Sequence, residues 1–562
     1  MRWQILTKIT EDFKSKFPEI NPIILQLLAN RGLKTQEEID EFLMPDYSQD
    51  LNDPFIFQEM EKAVGRIYKA IREKEKILIY GDYDTDGVVS TVILYQTFKK
   101  IGAEVETYLP DREKEGYGLN KEAIGSFKEK GINLIITCDC GISNVEEIEE
   151  AKKAGIETII TDHHREPKIL PDAFVIIDPW LKREKYPFKE LAGVGVAFKL
   201  IQSLLQHPNS QLDEKEAFEK WLLDLVALGT IADSMPLLKE NRVLCKYGLI
   251  VLNKTKNPGL KFLIEKAGLR SEIDAEKISY QLSPRLNVSG RMDHANQSLK
   301  LLLAEKQEAL KLASEINNLN VKRQKLIEEI FNEIKSEIGE GPKEKILVIF
   351  KEKALVGLLG LLANKLLDVY HRPALVLTKN SNGKIKASGR SIEEFDLFSS
   401  LSSLVDYFED FGGHAQAAGF TLKNPDDFEK FKKEIEKIVS QKIKDEDLIP
   451  QLEIETEVDL PAVNWDLYEE LLKFEPFGKD NPKPYFLLSN IYLRNIEIVG
   501  QNQNHRRLTL EDGRKMIYFN SEKKVEDLKI GDQINVVFEL GVNEWNGERS
   551  LEMKVVDLRK HL

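Results

Sequence analysis

Short apolar runs separated by helical segments set the pattern from residue 76 onward: Ile77–Tyr80, Val105–Leu109, Leu134–Thr137, Thr158–Thr161 and Phe174–Ile177. Strands alternating with helices predict a parallel sheet covered on both faces. A second unit of the same class opens at Ile346–Phe350 and continues through Pro373–Leu377 to about residue 445. Between them, Leu, Ile and Val recur at three- and four-residue spacing from Leu299 to Ile338, with no Pro or Gly before Gly339, which predicts one long connecting helix.

After the charged stretch Lys442–Asp447 the text becomes β-rich. About five strands, at 491–499, 507–510, 515–519, 532–540 and 550–556, are separated by Gly or Asn turns. Five short strands suit a small barrel of the OB type, which often binds single strands, although a barrel used only for docking is the alternative. Residues 1 to about 50 read as short helices, with Thr35 a candidate cap. The expected fold is therefore α/β: two α/β domains joined by a long helix around a cleft, plus a C-terminal β-barrel. The expected divisions are 1–50, 51–292, 293–340, 341–445 and 446–562.

Composition agrees with several folded modules. The 562 residues are 42% hydrophobic and 31% charged, too long for one core and too apolar for wholesale disorder. No stretch approaches a membrane span, and the start lacks the continuous apolar core of a secretory signal. With three cysteines, the expected compartment is the reducing cytoplasm. The net charge of −14, from 80 basic against 94 acidic residues, argues against a strongly basic coat protein. Phosphate contacts are local, however, so a basic groove can coexist with an acidic exterior.

The candidate chemistry sits at the strand ends. Ile77–Tyr80 runs into Gly81-Asp82-Tyr83-Asp84-Thr85-Asp86-Gly87, three carboxylates within five residues, at the edge where parallel sheets bind ligands. Grouping such charges is costly without a cation, so hard-metal binding follows. A calcium loop is excluded, because the twelfth position from Asp82 is Ile93 and the preceding segment is strand. The next strand ends in Cys138-Asp139-Cys140-Gly141, with Asp139 placed to bridge two metals; strand alternation turns the cysteines away into packing. Asp162-His163-His164 closes the following strand: His163 is the preferred ligand, His164 faces substrate or supports the ligands, and Asp162 orients an imidazole. Asp233 closes an apolar helix and means little alone. An oxygen-rich set with one or two imidazoles favours Mn²⁺ or Mg²⁺ over structural zinc.

These motifs resemble the successive signatures of the DHH phosphoesterase superfamily, and from about residue 50 to the end the chain is similar to its RecJ exonuclease branch. Ala387-Ser388-Gly389-Arg390-Ser391 and Gly412-Gly413-His414-Ala415-Gln416-Ala417-Ala418-Gly419 resemble the DHHA1 domain that accompanies the metal domain. Arg390 offers a planar phosphate clamp, and Gly412-Gly413 are expected at a helix start, open to an anion. Asp111–Gly118, with Arg112 and Tyr117, and Pro284–Asp293, with Arg285, Asn287 and Arg291, resemble further segments near the cleft. Asp480 stands where the family pattern expects glycine.

The resemblance implies a 5′ to 3′ exonuclease specific for single-stranded DNA, in recombination and repair, releasing 5′-mononucleotides by two-metal phosphodiester hydrolysis. Mn²⁺ is expected in preference to Mg²⁺, held by Asp82, Asp84, Asp86, Asp139, His163 and Asp233 with no fixed division between the two ions. Substrate contacts are expected at Arg112, Tyr117, His164, Arg285, Asn287, Arg291, Ser388, Arg390, Gly413 and His414. Expected partners are single-stranded DNA, a single-strand-binding protein and a RecQ-type helicase; the default oligomeric state is a monomer. Additions that follow the barrel in some relatives are not expected. The alternatives are a DHH phosphatase acting on short oligonucleotides or cyclic dinucleotides, and a catalytically silent DNA-binding replication scaffold. The second expects eroded ligands, whereas every ligand position here is Asp or His.

Overall fold

A computed structural model describes residues 1–380, 382–521, 525–545 and 547–561. The chain forms two compact units, one from residues 51–235 and 244–450, the other from 1–50, 236–243 and 451–562.

The first unit opens with a five-stranded parallel sheet: β1 (Lys76–Gly81), β2 (Glu104–Tyr108), β3 (Ile132–Cys138), β4 (Glu157–Thr161) and β5 (Val175–Ile177). Its order is β2-β1-β3-β4-β5. The inner strands are covered on both faces, so their sequences are apolar throughout instead of alternating; Leu134, Ile135 and Ile136 are fully buried. The order reverses between β1 and β3, which opens a crevice at their carboxyl ends. Helices α1 (Thr85–Lys100), α2 (Gly193–Gln206) and α3 (Leu223–Ala232) pack together behind that crevice.

The predicted connecting helix is two helices, α4 (Asn296–Leu303) and α5 (Lys306–Ile338). Ala304 and Glu305 between them are extended, with ψ of 149° and 166°. Both are good helix formers and the apolar spacing continues across them, so neither propensity nor period marks the break. Burial of Leu299, Leu301 and Leu302 on α4 sets it instead. With 33 residues, α5 is about 50 Å long. It leads into a second sheet, mixed in direction: β6 (Leu347–Phe350), β7 (Ala374–Lys379), β8 (Ile385–Arg390), β9 (Phe408–His414) and β10 (Ala417–Leu422), in the order β9-β10-β8-β7-β6. Only β6 and β7 are parallel to each other. Helix α6 (Leu359–Tyr370) crosses between them.

Here Gly412 and Gly413 depart from expectation. They lie in β9 of a β-hairpin, paired with Gly419 and Ala418, and do not begin a helix. Gly413 has φ +144°, and a Cβ there would lie 2.3 Å from the Ala417 carbonyl oxygen. Close strand approach demands glycine at this position.

In the other unit five strands close a barrel: Tyr485–Val499, His505–Leu510, Lys515–Tyr518, Gln533–Trp545 and Glu548–Lys560. The first pairs with both the second and the fourth, and the third runs parallel to the fifth, so no long edge is left open. Residues 1–50 are built into this unit. Phe17, Ile24, Leu27 and Leu28 share one core with Phe486, Leu508 and Phe538 of the barrel, and Arg2–Ile5 pairs in parallel with Gln451–Ile454. Thr35 forms a capping box with Glu38. Arg242, 1% exposed, donates to the carbonyls of Phe42, Lys473, Phe474 and Glu475. Asp480 has φ +57°, the left-handed conformation that explains why a glycine is expected there.

Candidate active site

The strand ends deliver their acidic residues to one crevice. Asp84 caps α1, its Oδ1 accepting from the amides of Asp86 (2.9 Å) and Gly87 (3.2 Å). Asp86, one turn in, accepts the amides of Gly193 (2.7 Å) and Val194 (2.9 Å) at the start of α2. That helix terminus lends partial positive charge to a buried carboxylate whose oxygens keep further lone pairs. Asp139 follows β3 at φ +61°, a strained conformation for a residue with a Cβ. His163 follows β4, and Asp233 caps the end of α3.

His163 Nε2 lies 3.0 Å from Asp139 Oδ1, 3.6 Å from Asp233 Oδ2 and 4.0 Å from Asp86 Oδ2. Three groups have ligand atoms within 4.8 Å of one another: Asp82, Asp84 and Asp139; Asp86, His163 and Asp233; and Asp139, His163 and His164. Asp139 and His163 each belong to two of them. All six sequence-predicted ligands are thus brought together.

The electrostatics favour cation binding. Burial, reinforced by neighbouring carboxylates, holds Asp82 and Asp139 well above the usual carboxylate range and pushes Asp86 and Asp233 up to about 7. Burial and His164 lower His163, favouring the neutral imidazole that ligates metals. Asp82 Oδ1 and His163 Nδ1 are buried without a hydrogen-bond partner. Clustered oxygens, one neutral imidazole and orphaned polar atoms fit hard divalent cations such as Mn²⁺ or Mg²⁺. Cys138 and Cys140 are fully buried, and burial raises both thiols, Cys138 to about 12. They pack as apolar groups.

His164 behaves oppositely to His163. Burial works against its charge, but a 2.7 Å bond to Asp162 outweighs this and raises it to about 9. Asp162 stays ionised despite burial, since it also accepts the amides of Ile142, His163 and His164. The Tyr117 hydroxyl donates to the Asp139 carbonyl oxygen (3.1 Å) and lies 3.1 Å from His164 Nδ1. A cation therefore stands at the rim of the carboxylate pocket.

Arginines gather beside Asp82 and Asp84. Arg112 stacks over Tyr83 at 4.8 Å, and Arg291 donates to the Gly357 carbonyl (3.2 Å). Burial, then Arg112, lowers both Arg291, to about 9, and Arg390. A Cβ at Gly360, in the first turn of α6, would lie 3.0 Å from Arg390 Nη2 and 3.2 Å from Ser388 Oγ. Ser388 and Arg390 thus face a helix N-terminus, an anion-binding arrangement. Asn287 accepts the Thr85 amide (2.8 Å) and braces the ligand loop. Arg285 donates to Asn317 (3.0 Å). Gly413 and His414 are exposed on the hairpin.

Sequence reasoning missed the glycines that make room for the ligands. A Cβ at Gly193 would lie 2.7 Å from Asp139 Cβ, and one at Gly229 2.8 Å from Asp86 Oδ1. For Gly229 the available signal was its cost, since glycine inside a helix loses about 1 kcal/mol relative to alanine; Gly193, at the first position of α2, carries no such signal. It also missed Asp178, fully buried after β5 and raised to about 8 by burial and Asp162.

Residues 76–230 match the DHH family N-terminal domain, 343–441 the DHHA1 domain and 454–557 the RecJ OB domain. The chain is 39% identical, over 99% of its length and 70% of the relative's, to a Bacillus subtilis protein named single-stranded-DNA-specific exonuclease RecJ. It is 31% identical to the Escherichia coli protein of that name, over 95% of each chain. Among solved structures it is similar to RecJ of Thermus thermophilus in complex with Mn²⁺, at TM-score 0.85 and 28% identity, covering 100% of this chain and 80% of that one. The Mg²⁺ complex of the Thermus protein gives TM-score 0.79 at 26% identity, over 100% of this chain and 79% of that one. With its metal-ligating crevice, its DHHA1 sheet and its barrel all matched, the chain belongs to the RecJ family.

Proposed function

We propose that this protein is a metal-dependent exonuclease that degrades single-stranded DNA from the 5′ end and releases 5′-mononucleotides. The observation that carries this reading is the presence of two opposite charge clusters in one unit: buried carboxylates around His163, and Arg112, Arg291 and Arg390, which form no ion pair among the described residues. The first fits divalent cations and the second a phosphate chain. The names of the relatives, and the Mn²⁺ and Mg²⁺ complexes of the Thermus protein, support the same reading.

Asp82, Asp84, Asp86, Asp139, His163 and Asp233 would hold two cations, Mn²⁺ or Mg²⁺, with Asp139 shared. Bound there, they supply the charge that ionises a water and polarises the phosphoryl group. His164, held as a cation by Asp162, neutralises charge that develops on the phosphoryl oxygens. Tyr117 fixes His164 against the Asp139 backbone. Ser388, Arg390 and the start of α6 receive the 5′-terminal phosphate, which gives the reaction its direction. The barrel supplies a second surface for a single strand. Recombination and repair in the cytoplasm, alongside a single-strand-binding protein and a RecQ-type helicase, are the setting that family membership suggests. Among the described residues no helix is long and apolar enough to cross a membrane.

The test is single-stranded DNA labelled at either end, incubated with Mn²⁺ and either the wild-type chain or Asp139→Ala. Release of the 5′ label as mononucleotide, abolished in the variant, is expected. Degradation from the 3′ end refutes the direction, equal activity of the variant refutes the site, and preference for dinucleotides favours a small-substrate phosphodiesterase.

A further inference from the structure

The middle of α5 is polar where the rest of its inner face is apolar. Buried positions are apolar at Ala309, Ala313 and Ile316, and apolar again at Ile330, Phe331 and Ile334, but Asn320 and Arg323 stand between. The C-terminal stretch packs with Leu359 and Leu362 of α6, and the helix also packs on Pro258–Lys266 and α4. The polar stretch therefore lies where the helix passes from the first sheet's helices to those of the second.

Neither residue is satisfied. Asn320 is fully buried with both ends of its amide unpartnered, and Arg323 is 8% exposed with an unpartnered Nε. Native interiors seldom leave such groups unpaired. Asn317, Asn320 and Arg323 recur every three residues, a stripe on one helix face, and Arg285 binds its first member. Repulsion from Arg285 adds to burial in lowering Arg323, and Arg291 is lowered in turn by Arg112, Arg323 and Arg390.

Arg390, Arg112, Arg291, Arg323 and Arg285 thus form a chain of neighbouring charges, each coupled to the next, and among the described residues none is ion-paired. Two other arginines with buried side chains are matched by carboxylates: Arg31 pairs with Glu455 at 3.0 Å and Arg66 with Glu75 at 2.6 Å. In a chain of net charge −14, carboxylate partners are not scarce. A chain of cations without ion-pair partners, coupled at one end to Asp82 and Asp84 through Arg112 and Arg291 and ending at Arg285, fits a polyanion better than a mononucleotide.

We propose that Arg323, with Arg285 beside it, forms a further phosphate subsite on α5 that grips the DNA strand away from the scissile bond and makes turnover depend on strand length. The proposal rests on the exonuclease reading and adds a determinant of substrate size to it.

Full-length wild type, Arg323→Met and Arg323→Lys are compared with Mn²⁺ on 5′-phosphorylated oligo-dT from 2 to 12 nucleotides. The ratio of kcat/KM between the 12-mer and the 3-mer should shrink about tenfold in Arg323→Met and largely recover in Arg323→Lys. The salt dependence of 12-mer binding should become shallower by about 0.7 in log–log slope, one phosphate contact on a single strand. A wild-type ratio and slope in Arg323→Met, or an equal loss on both lengths, overturns the subsite and leaves the exonuclease reading intact. A wild-type enzyme that gains nothing from length overturns both. If Arg323→Met melts well below wild type, Arg285→Met takes its place and must show the same shrinkage.

Discussion

The carboxylate crevice and the arginine row face the same problem with opposite sign. Around His163, burial, reinforced by repulsion between carboxylates, pushes Asp86 and Asp233 up to about 7. From Ser388 to α5, burial, with repulsion between guanidiniums added to it, lowers Arg291 to about 9. A protein of this size has charges of both signs to spare, yet among the described residues the two groups form no ion pair, and only Asp84 beside Arg291 and Asp82 beside Arg112 are coupled electrostatically across them. Had they neutralised each other, the structure would be more comfortable and chemically inert. Each region instead keeps a charge that only a ligand completes, cations in one case and phosphates in the other.

That comparison is open to attack at four points. The largest effect falls on Asp139. Asp139→Asn should lower kcat with Mn²⁺ by about a thousandfold or more, roughly 4 kcal/mol, and in EDTA it should melt higher than wild type because a repelled charge is gone. Mn²⁺ at a hundredfold over its Kd should stabilise the wild type by about 2.7 kcal/mol and the variant far less. A variant that melts lower in EDTA would show that the crevice is not frustrated.

On the other side, Arg390→Ala should reduce kcat/KM on single-stranded DNA ten- to a hundredfold, in line with about 1.5–3 kcal/mol for a charged hydrogen bond, without changing the metal concentration needed for half-maximal activity. A shifted metal requirement would mean that the two regions are coupled. Calorimetry across pH sharpens the acidic half. Asp86 and Asp233 lie near 7 when folded against about 4 unfolded, so the folded state holds extra protons between those values and stability falls as pH rises through them. His164, raised to about 9, continues the fall above its ordinary value of about 6.5. The metal-free chain should therefore melt a few degrees lower at pH 8 than at pH 5, and saturating Mn²⁺ should flatten the trend. The smallest effect is expected from Asn287→Ala, about 1 kcal/mol of stability from the lost cap on Thr85, measured by denaturant titration with a modest rise in the Mn²⁺ requirement.

The two regions were unequally legible in the sequence. The crevice could be read because its ligands are local: a strand too apolar to be anything else, then carboxylates in its first turn. Asp-His-His repeats that logic at β4. Asp233 and Gly193 could not be found this way, since their significance comes from helices packing over the crevice. On the arginine side, Arg390 was visible inside its motif, but Asn320 and Arg323 look like ordinary exposed positions of a charged helix until burial is known. The break at Ala304 and the hairpin at Gly412-Gly413 were misread for a related reason: local preferences permit a helix in each case, and distant partners decide otherwise. The last two barrel strands emerged longer than their apolar stretches, because pairing continues through polar residues such as Asn543 and Arg559.

The shared core of residues 1–50 and the barrel has a consequence for synthesis. The N-terminal helices leave the ribosome with Phe17, Ile24 and Leu27 uncovered, and their partners follow roughly 400 residues later. At about 5–20 residues per second that wait lasts roughly 20–80 s, during which the 51–450 unit can fold first. An exposed apolar segment held that long is a natural client for a chaperone, and a transcript cut short before the barrel would leave it permanently uncovered.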